Sequence, residues 1–289
     1  MPSLKNQLPH YWRLMRFHRP IGIWLLLWPT LWALWFAADG PPPLHVFVVF
    51  ALGTVLMRAA GCVINDFADR DFDPHVARTL DRPLAAGLVT TQEALRLFVI
   101  TCVIAFCLVL SLGNPRVLAL SLPAVGLAAL YPFTKRWISM PQAVLSLAFS
   151  WGIPMAFAAV LPAIPWNEVL CLMAANVCWV IAYDTFYAMA DREDDRRIGV
   201  KSSALFFGDL DRPITALLQV ATLALLAWAG RDLGAFWFGG LAIAAGLAVQ
   251  QQWSIRTRDP QACFRAFLAN HYFGAVIFLG LAFDRMLLS

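Results

Sequence analysis

The sequence predicts an all-α, polytopic membrane protein of nine transmembrane helices, and three observations predict it. Of its 289 residues, 60% are hydrophobic and only 14% are charged, against roughly a quarter charged in a soluble domain. Apolar stretches near the ~20 residues needed to cross a bilayer recur along the chain. Lys and Arg gather in alternate connections between those stretches, as they do in cytoplasmic loops.

The stretches fall at about residues 21–38, 44–64, 93–112, 117–133, 141–163, 168–190, 213–230, 235–253 and 267–283, each ended by Pro, Gly or a burst of charge. The first is too long for a signal-peptide core and no small-residue cleavage site follows it, so it is expected to remain as a helix. One face of the membrane collects seventeen of the 22 basic residues: Lys5, Arg13, Arg16, Arg19, Arg70, Arg78, Arg82, Lys135, Arg136, Arg192, Arg196, Arg197, Lys201, Arg212, Arg256, Arg258 and Arg265. The other face has Arg116, Arg231 and Arg285, while Arg58 and Arg96 lie inside helices. This asymmetry predicts a cytoplasmic N-terminus and, with nine helices, a periplasmic C-terminus.

The six cysteines sit mostly in apolar segments without a Cys-x-x-Cys pair, so they read as small core residues and suggest neither zinc nor a disulfide framework. A formal charge of +4 suits a basic face over anionic lipid. It gives no reason to invoke nucleic acid, because no soluble basic domain is present to hold it. No protein partner can be read from the sequence.

Ionisable residues at the ends of membrane helices are costly and count as functional candidates. Two segments concentrate them: Asn65-Asp66-Phe67-Ala68-Asp69-Arg70-Asp71-Phe72-Asp73 after the second helix, and the stretch from Asp184 through Tyr187 to Asp191-Arg192-Glu193-Asp194-Asp195 at the end of the sixth. Ala68-Asp69-Arg70 with Asp73 recurs as Ala190-Asp191-Arg192 with Asp195, an offset of 122 positions. The chain therefore reads as one integral-membrane domain, residues 1–289, of two motif-bearing halves at about 20–133 and 141–284. Four helices separate the motifs, which places both on the same, cytoplasmic side.

At about 100° per residue, Asn65, Asp66, Asp69 and Asp73 fall within one arc of roughly 100°, whereas Asp71 points away. Asp184, Asp191 and Asp195 form a second stripe, with Tyr187 and Asp194 along its edge. Stacked carboxylates repel one another in a desolvated cleft unless cations neutralise them. The ligands are hard oxygens without a nearby Cys or His cluster, which selects Mg²⁺, Mn²⁺ or Ca²⁺ over zinc or copper. A diphosphate held between the motifs would complete a Mg²⁺ shell. Glu193, Asp71 and Asp81 read as ordinary solvated acids, and most neighbouring bases as topology. Arg82, Lys135, Arg136 and Lys201, beside the motifs, are candidates to stabilise a departing diphosphate.

These residues resemble the UbiA superfamily of intramembrane prenyltransferases, and within it the bacterial 4-hydroxybenzoate polyprenyltransferases of ubiquinone synthesis. The family's Asn-Asp-x-x-Asp-x-x-x-Asp is matched by Asn65, Asp66, Asp69 and Asp73, and its Asp-x-x-x-Asp by Asp191 and Asp195, preceded by a Tyr-Asp-Thr-x-Tyr-Ala stretch from Tyr183 to Ala188. Flanking text agrees: Arg19-Pro20-Ile21-Gly22, Leu26-Leu27-Trp28-Pro29-Thr30, Arg78-Thr79, Arg82-Pro83-Leu84 and Gly199-Val200-Lys201-Ser202. The resemblance covers nearly the whole chain.

It implies nine helices around a central chamber in the bacterial inner membrane, capped by cytoplasmic loops over a Mg²⁺-diphosphate site. It implies that Asn65, Asp69, Asp73, Asp191 and Asp195, with Asp66 in the same motif, serve the metal. Arg136, and Arg70 beside the motif, are expected to meet diphosphate or an acceptor carboxylate, with Arg82, Lys135, Lys201, Tyr187 and Asp184 as further substrate-binding candidates. The expected substrates are a polyprenyl diphosphate and 4-hydroxybenzoate. Diphosphate departure would leave an allylic cation, which the ring attacks ortho to its hydroxyl, with Asp191 as candidate base. Trp24, Trp28, Phe149, Met155, Phe186 and Tyr187 are candidates to line the chamber. Two other readings stand beside this one: another aromatic acceptor, or an ion-coupled transporter, whose acids would lie near mid-membrane.

Overall fold

The computed structural model describes residues 4–71, 73–75, 79–134 and 136–287. Arg78 and Lys135, named above, lie outside the described residues. Twelve α-helices and two short 3-10 turns carry the chain, with no strand among the described residues. They are α1 (Leu4–Leu14), α2 (Ile21–Ala38), α3 (Leu44–Ala68), α4 (Thr91–Ser111), α5 (Pro115–Thr134), α6 (Gln142–Ser150), α7 (Gly152–Val160), α8 (Trp166–Ile198), α9 (Ser203–Phe207), α10 (Asp211–Ala229), α11 (Ala235–Ser254) and α12 (Pro260–Leu287).

Eight spans are long and apolar enough to cross a membrane: α2, α3, α4, α5, α6 with α7, α8, α9 with α10, and α12. The chain is thus a multi-pass membrane protein. The eighth of the nine expected helices, at 235–253, forms as α11, 20 residues packed along α12, but it falls outside the eight spans. Gln250, Gln251 and Gln252 lower its hydropathy, and Gln219 of α10 donates to Gln251 at 2.7 Å.

Local chemistry explains the boundaries. Thr90 caps α4 through a reciprocal pair: Glu93 N–H donates to Thr90 Oγ1 at 3.2 Å and Thr90 N–H to Glu93 Oε2 at 2.8 Å. The fifth span breaks at Trp151 because Pro154 has no amide hydrogen to donate to the carbonyl four residues back. α8 is the longest helix, 33 residues, and stops where Gly199 takes the left-handed conformation, φ 72°. α1 precedes the expected stretches; Tyr11 and Leu14 pack it against Val63 of α3 and Ala94 of α4.

The core lies where α2, α8 and α12 meet. Trp32 Nε1 donates to the Gly274 carbonyl at 3.2 Å, and Trp179 Nε1 to Asn270 Oδ1 at 3.0 Å. At the end remote from the acids, Arg116 Nη2 donates to the Leu161 carbonyl at 2.8 Å, and Asp284 accepts from the amides of Gly234 and Trp237 at 2.9 and 3.1 Å. Arg285 pairs there with Asp39 at 2.5 Å. α3 and α8 both run to the opposite end, so the two acidic motifs emerge together.

Candidate active site

One cavity of about 1040 Å³ is lined by both motifs. Asn65, Asp66, Asp69, Asp73, Arg82, Asp184, Tyr187, Asp191 and Asp195 all face it, as does Asp194. Away from the acids it continues between α3, α4 and α5 along Cys102, Phe106 and Val125, reaching Leu112 and Val117 near the far end of those helices.

The two motifs are built differently. On α8 the helix continues unbroken through Asp184, Asp191 and Asp195, so the expected stripe is real. α3 ends at Ala68; Asp69 caps it, and Asp73 sits in a 3-10 turn, Asp73–His75. The single helical arc expected for the first motif therefore breaks after Asp69. Asp73 still reaches the cavity, because its amide donates to the Asp69 carbonyl at 2.8 Å and continues the chain's turn.

Within the first motif, Asn65 Nδ2 donates to Asp69 Oδ2 at 3.1 Å. Asp66, only 1% exposed, accepts from Arg16 Nη2 at 2.8 and 3.0 Å and pairs with Arg82 Nη1 at 3.2 Å. Arg82 Nη1 also donates to both Asp73 oxygens, at 3.0 and 2.8 Å, and lies within electrostatic reach of Tyr187 on α8. It thus stands between the two motifs. Burial pushes the Asp73 carboxyl up to about 6, against the pull of Arg82. Burial, aided by Arg19, Arg16 and Arg13, holds the His18 imidazole below its usual range, so the positive charge at this rim comes from arginines.

Other expected residues are not among the cavity-lining ones. Arg70 Nη1 donates to the Phe67 carbonyl at 2.9 Å and Arg136 Nη2 to the Ala68 carbonyl at 2.6 Å, so both cap the last turn of α3. Lys201 Nζ donates to the Trp137 carbonyl at 2.9 Å. Of the expected aromatic and Met lining, Phe149, Met155 and Tyr187 face the cavity. Trp24 stacks on Trp28, Trp28 packs on Phe278, and Phe186 is fully buried in the core.

Arg16 and Arg58 also line the cavity, although the acidic motifs do not point to them. Arg16 pairs across 50 positions of sequence, which no local pattern reveals. Arg58 had a signal: it lies inside a membrane helix, seven residues before Asn65 and on the same face.

Residues 26–277 match the pattern of the UbiA prenyltransferase family. The chain is 56% identical over 287 residues to the 4-hydroxybenzoate octaprenyltransferase of Methylococcus capsulatus, covering 98% of this chain and 97% of that one. It is 57% identical over 281 residues to the enzyme of the same name from Nitrosococcus oceani, covering 96% and 98%. Among solved structures, a UbiA homolog from Aeropyrum pernix K1 superposes with a TM-score of 0.79 at 26% identity, over 91% of this chain and 97% of that one. A UbiA homolog from Archaeoglobus fulgidus bound to GPP and Mg²⁺ shares the fold, with a TM-score of 0.72 at 18% identity over 96% and 99%. A match over most of the chain, upheld by relatives more than half identical along nearly their whole length, makes this protein a member of the UbiA prenyltransferase family.

Proposed function

We propose that this protein transfers a polyprenyl group from polyprenyl diphosphate to the carbon ortho to the hydroxyl of 4-hydroxybenzoate, as a step of ubiquinone synthesis. The observation that carries the proposal is a single cavity with both acidic motifs at one end and an apolar extension running nearly the length of the helices. Each buried methylene contributes roughly 0.8 kcal/mol, so a polyprenyl tail stays among helices while its diphosphate meets the acids. Relatives at 56% and 57% identity bear the name of this reaction.

The donor chemistry suits Mg²⁺. Among the described residues no three acids converge closely enough to cage a metal. The carboxylates form two sets across one cavity, and Mg²⁺ uses one or two carboxylates with water and substrate phosphate rather than an all-protein cage. We assign its binding to Asn65, Asp69, Asp73, Asp191 and Asp195; Asp66 joins only by releasing Arg16 and Arg82. Bound there, the ion would neutralise charge on the departing diphosphate.

The chain's own groups carry the remainder. Arg82 turns from Asp73 toward the leaving diphosphate and stabilises its charge in a site shielded from water. The bond between the allylic carbon and the diphosphate oxygen breaks. The new carbon–carbon bond forms ortho to the phenol, and Asp191, 7% exposed, takes the displaced ring proton. Arg70 and Arg136 act by holding the end of α3 that carries Asp69. We also propose that the acidic end faces the cytoplasm across a bacterial inner membrane, with the N-terminus on the same side. The basic residues gathered there support it.

The test is incubation of membranes carrying this protein with radiolabelled 4-hydroxybenzoate, a polyprenyl diphosphate and Mg²⁺. Lipid-soluble label, lost in Asp69→Ala and Asp191→Ala, is the expected result; absence of label from the lipid phase with the unaltered protein rejects the reaction.

A further inference from the structure

Arg192 directly follows Asp191 on α8 but points about 100° around the helix from it. Its Nη2 donates to the Asp211 carboxylate, and to the carbonyls of Ala204 at 3.1 Å and Gly208 at 3.4 Å. Asp211 opens α10 and is fully buried. It also accepts from Arg258: Nε reaches both carboxylate oxygens at 3.1 Å and Nη2 reaches Oδ1 at 2.8 Å. The Arg212 amide donates to Asp211 Oδ1 at 2.6 Å. Arg258 holds this pose from a left-handed backbone, φ 55°, just before α12, and its Nη2 donates to the Asp209 carbonyl at 2.8 Å.

One carboxylate therefore gathers the end of α8, the α9–α10 corner and the start of α12. Beyond Asp191 the final turns of α8 expose Glu193, Arg196 and Arg197 to solvent. Arg192 ties the first of those turns to the α9–α10 corner. Because Asp191 and Asp195 lie on one face, four residues apart, fixing the direction of Arg192 fixes the direction of both. In the first half the counterpart, 122 positions earlier, is Arg70. It is spent on its own helix end, bonding Phe67 and lying 3.6 Å from exposed Asp71.

We propose that Asp211 is a positioning residue for the second acidic motif: through Arg192 it sets the rotation of α8 that turns Asp191 and Asp195 into the cavity, and thereby the site's affinity for its divalent cation. The proposal rests on the assignment of those two acids to cation binding.

The experiment measures the Mn²⁺ dissociation constant by electron paramagnetic resonance. It uses the full-length protein in detergent with inorganic pyrophosphate, alongside the melting temperature and the KM for 4-hydroxybenzoate. Outer-shell partners of metal ligands typically contribute about 10- to 100-fold in affinity. Asp211→Asn and Arg192→Gln are each expected to weaken Mn²⁺ by about tenfold or more on that scale, with the KM for the aromatic acid unchanged and Asp211→Glu recovering most of the loss. Arg192→Gln leaves the Asp211–Arg258 pair in place, so it reads the effect if Asp211→Asn fails to fold. Folded Arg192→Gln with unaltered Mn²⁺ affinity, beside an Asp191→Asn that binds weakly, overturns the positioning role. A lowered melting temperature with unaltered affinity does the same. Unaltered affinity in Asp191→Asn instead overturns the metal assignment beneath it.

Discussion

Arg82 Nη1 donates to both carboxylate oxygens of Asp73, at 3.0 and 2.8 Å, while lying 3.2 Å from Asp66. One guanidinium thus serves two acids of the first motif, one of them almost wholly buried. Removing one partner of a buried pair leaves an uncompensated charge, at a cost of about 3–5 kcal/mol. Arg82→Ala is therefore expected to lower the melting temperature sharply in the absence of ligand, and to reduce turnover by roughly 100-fold or more where the protein still folds. Arg82→Lys keeps the charge but not the planar fork, and should fall between. Thermal unfolding and product formation by the two variants check this; near-unaltered turnover in folded Arg82→Ala would remove Arg82 from the mechanism.

The same residue pair sets a pH dependence. Asp73 is held up to about 6 mainly by burial, from an ordinary value of 3.8. Between those two values the folded chain keeps a proton that the unfolded chain has released, so the unliganded protein loses stability from this group as pH rises through that window. Cation binding by Asp73, as proposed above, has the opposite sign, since only the ionised carboxylate is a ligand. The rise in melting temperature produced by Mg²⁺ with pyrophosphate is expected to grow between roughly pH 5 and 7. Asp73→Asn should flatten that profile. An equal Mg²⁺ effect across this range in the unaltered protein would contradict it.

Much of this was legible in sequence because membrane spans are written locally. The apolar stretch at 21–38 coincides with α2, and 235–253 matches α11 but for Ser254. α1 was invisible because 11 residues with Pro9 show no helix of their own until Tyr11 and Leu14 pack against α3 and α4. The charge burst after Ala190 predicts the end of a span, yet α8 runs on to Ile198, since the acids belong to the cavity rather than to a loop. The acids that line the cavity could be found from their spacing. Arg16 on Asp66 and Arg258 on Asp211 could not, because those contacts join segments 50 and 47 residues apart.

The contact between α11 and α12 depends on two glycines. A Cβ on Gly240 would lie 2.8 Å from the Val276 carbonyl oxygen and 3.1 Å from Gly280 Cα. Both obstacles are backbone, so the helices must separate, at about 1–3 kcal/mol for an overpacked contact. A Cβ on neighbouring Gly239 meets nothing within 4 Å. Gly240→Ala should therefore melt several degrees lower in detergent, while Gly239→Ala stays level or gains a little helix stability, about 0.5–1 kcal/mol. Both should keep the KM values of the unaltered protein, because neither glycine lines the cavity. Equal melting of the two variants would refute the close-packed contact.

Arg58 and Gly22 meet at the wall of the cavity, and Arg58 is expected to hold the acceptor. Arg58 lines the cavity from within α3 and, unlike Arg16 and Arg82, forms no ion pair among the described residues. Its guanidinium rests on Gly22 of α2: a Cβ there would lie 2.1 Å from Nε and 2.4 Å from Nη2. A membrane-embedded cation beside a substrate cavity is suited to an anionic group, and the aromatic acid brings a carboxylate. A hydrogen bond to a charged group contributes about 1.5–3 kcal/mol, roughly 10- to 100-fold in binding. Arg58→Ala should raise the KM for 4-hydroxybenzoate by that factor and leave the KM for polyprenyl diphosphate nearly unaltered. Gly22→Ala should do the same more mildly, since its methyl group displaces a flexible side-chain end and leaves the backbone in place. Steady-state kinetics with each substrate varied in turn decides it: a rise confined to the diphosphate KM would assign Arg58 to the leaving group, and no rise in either would leave it a packing residue.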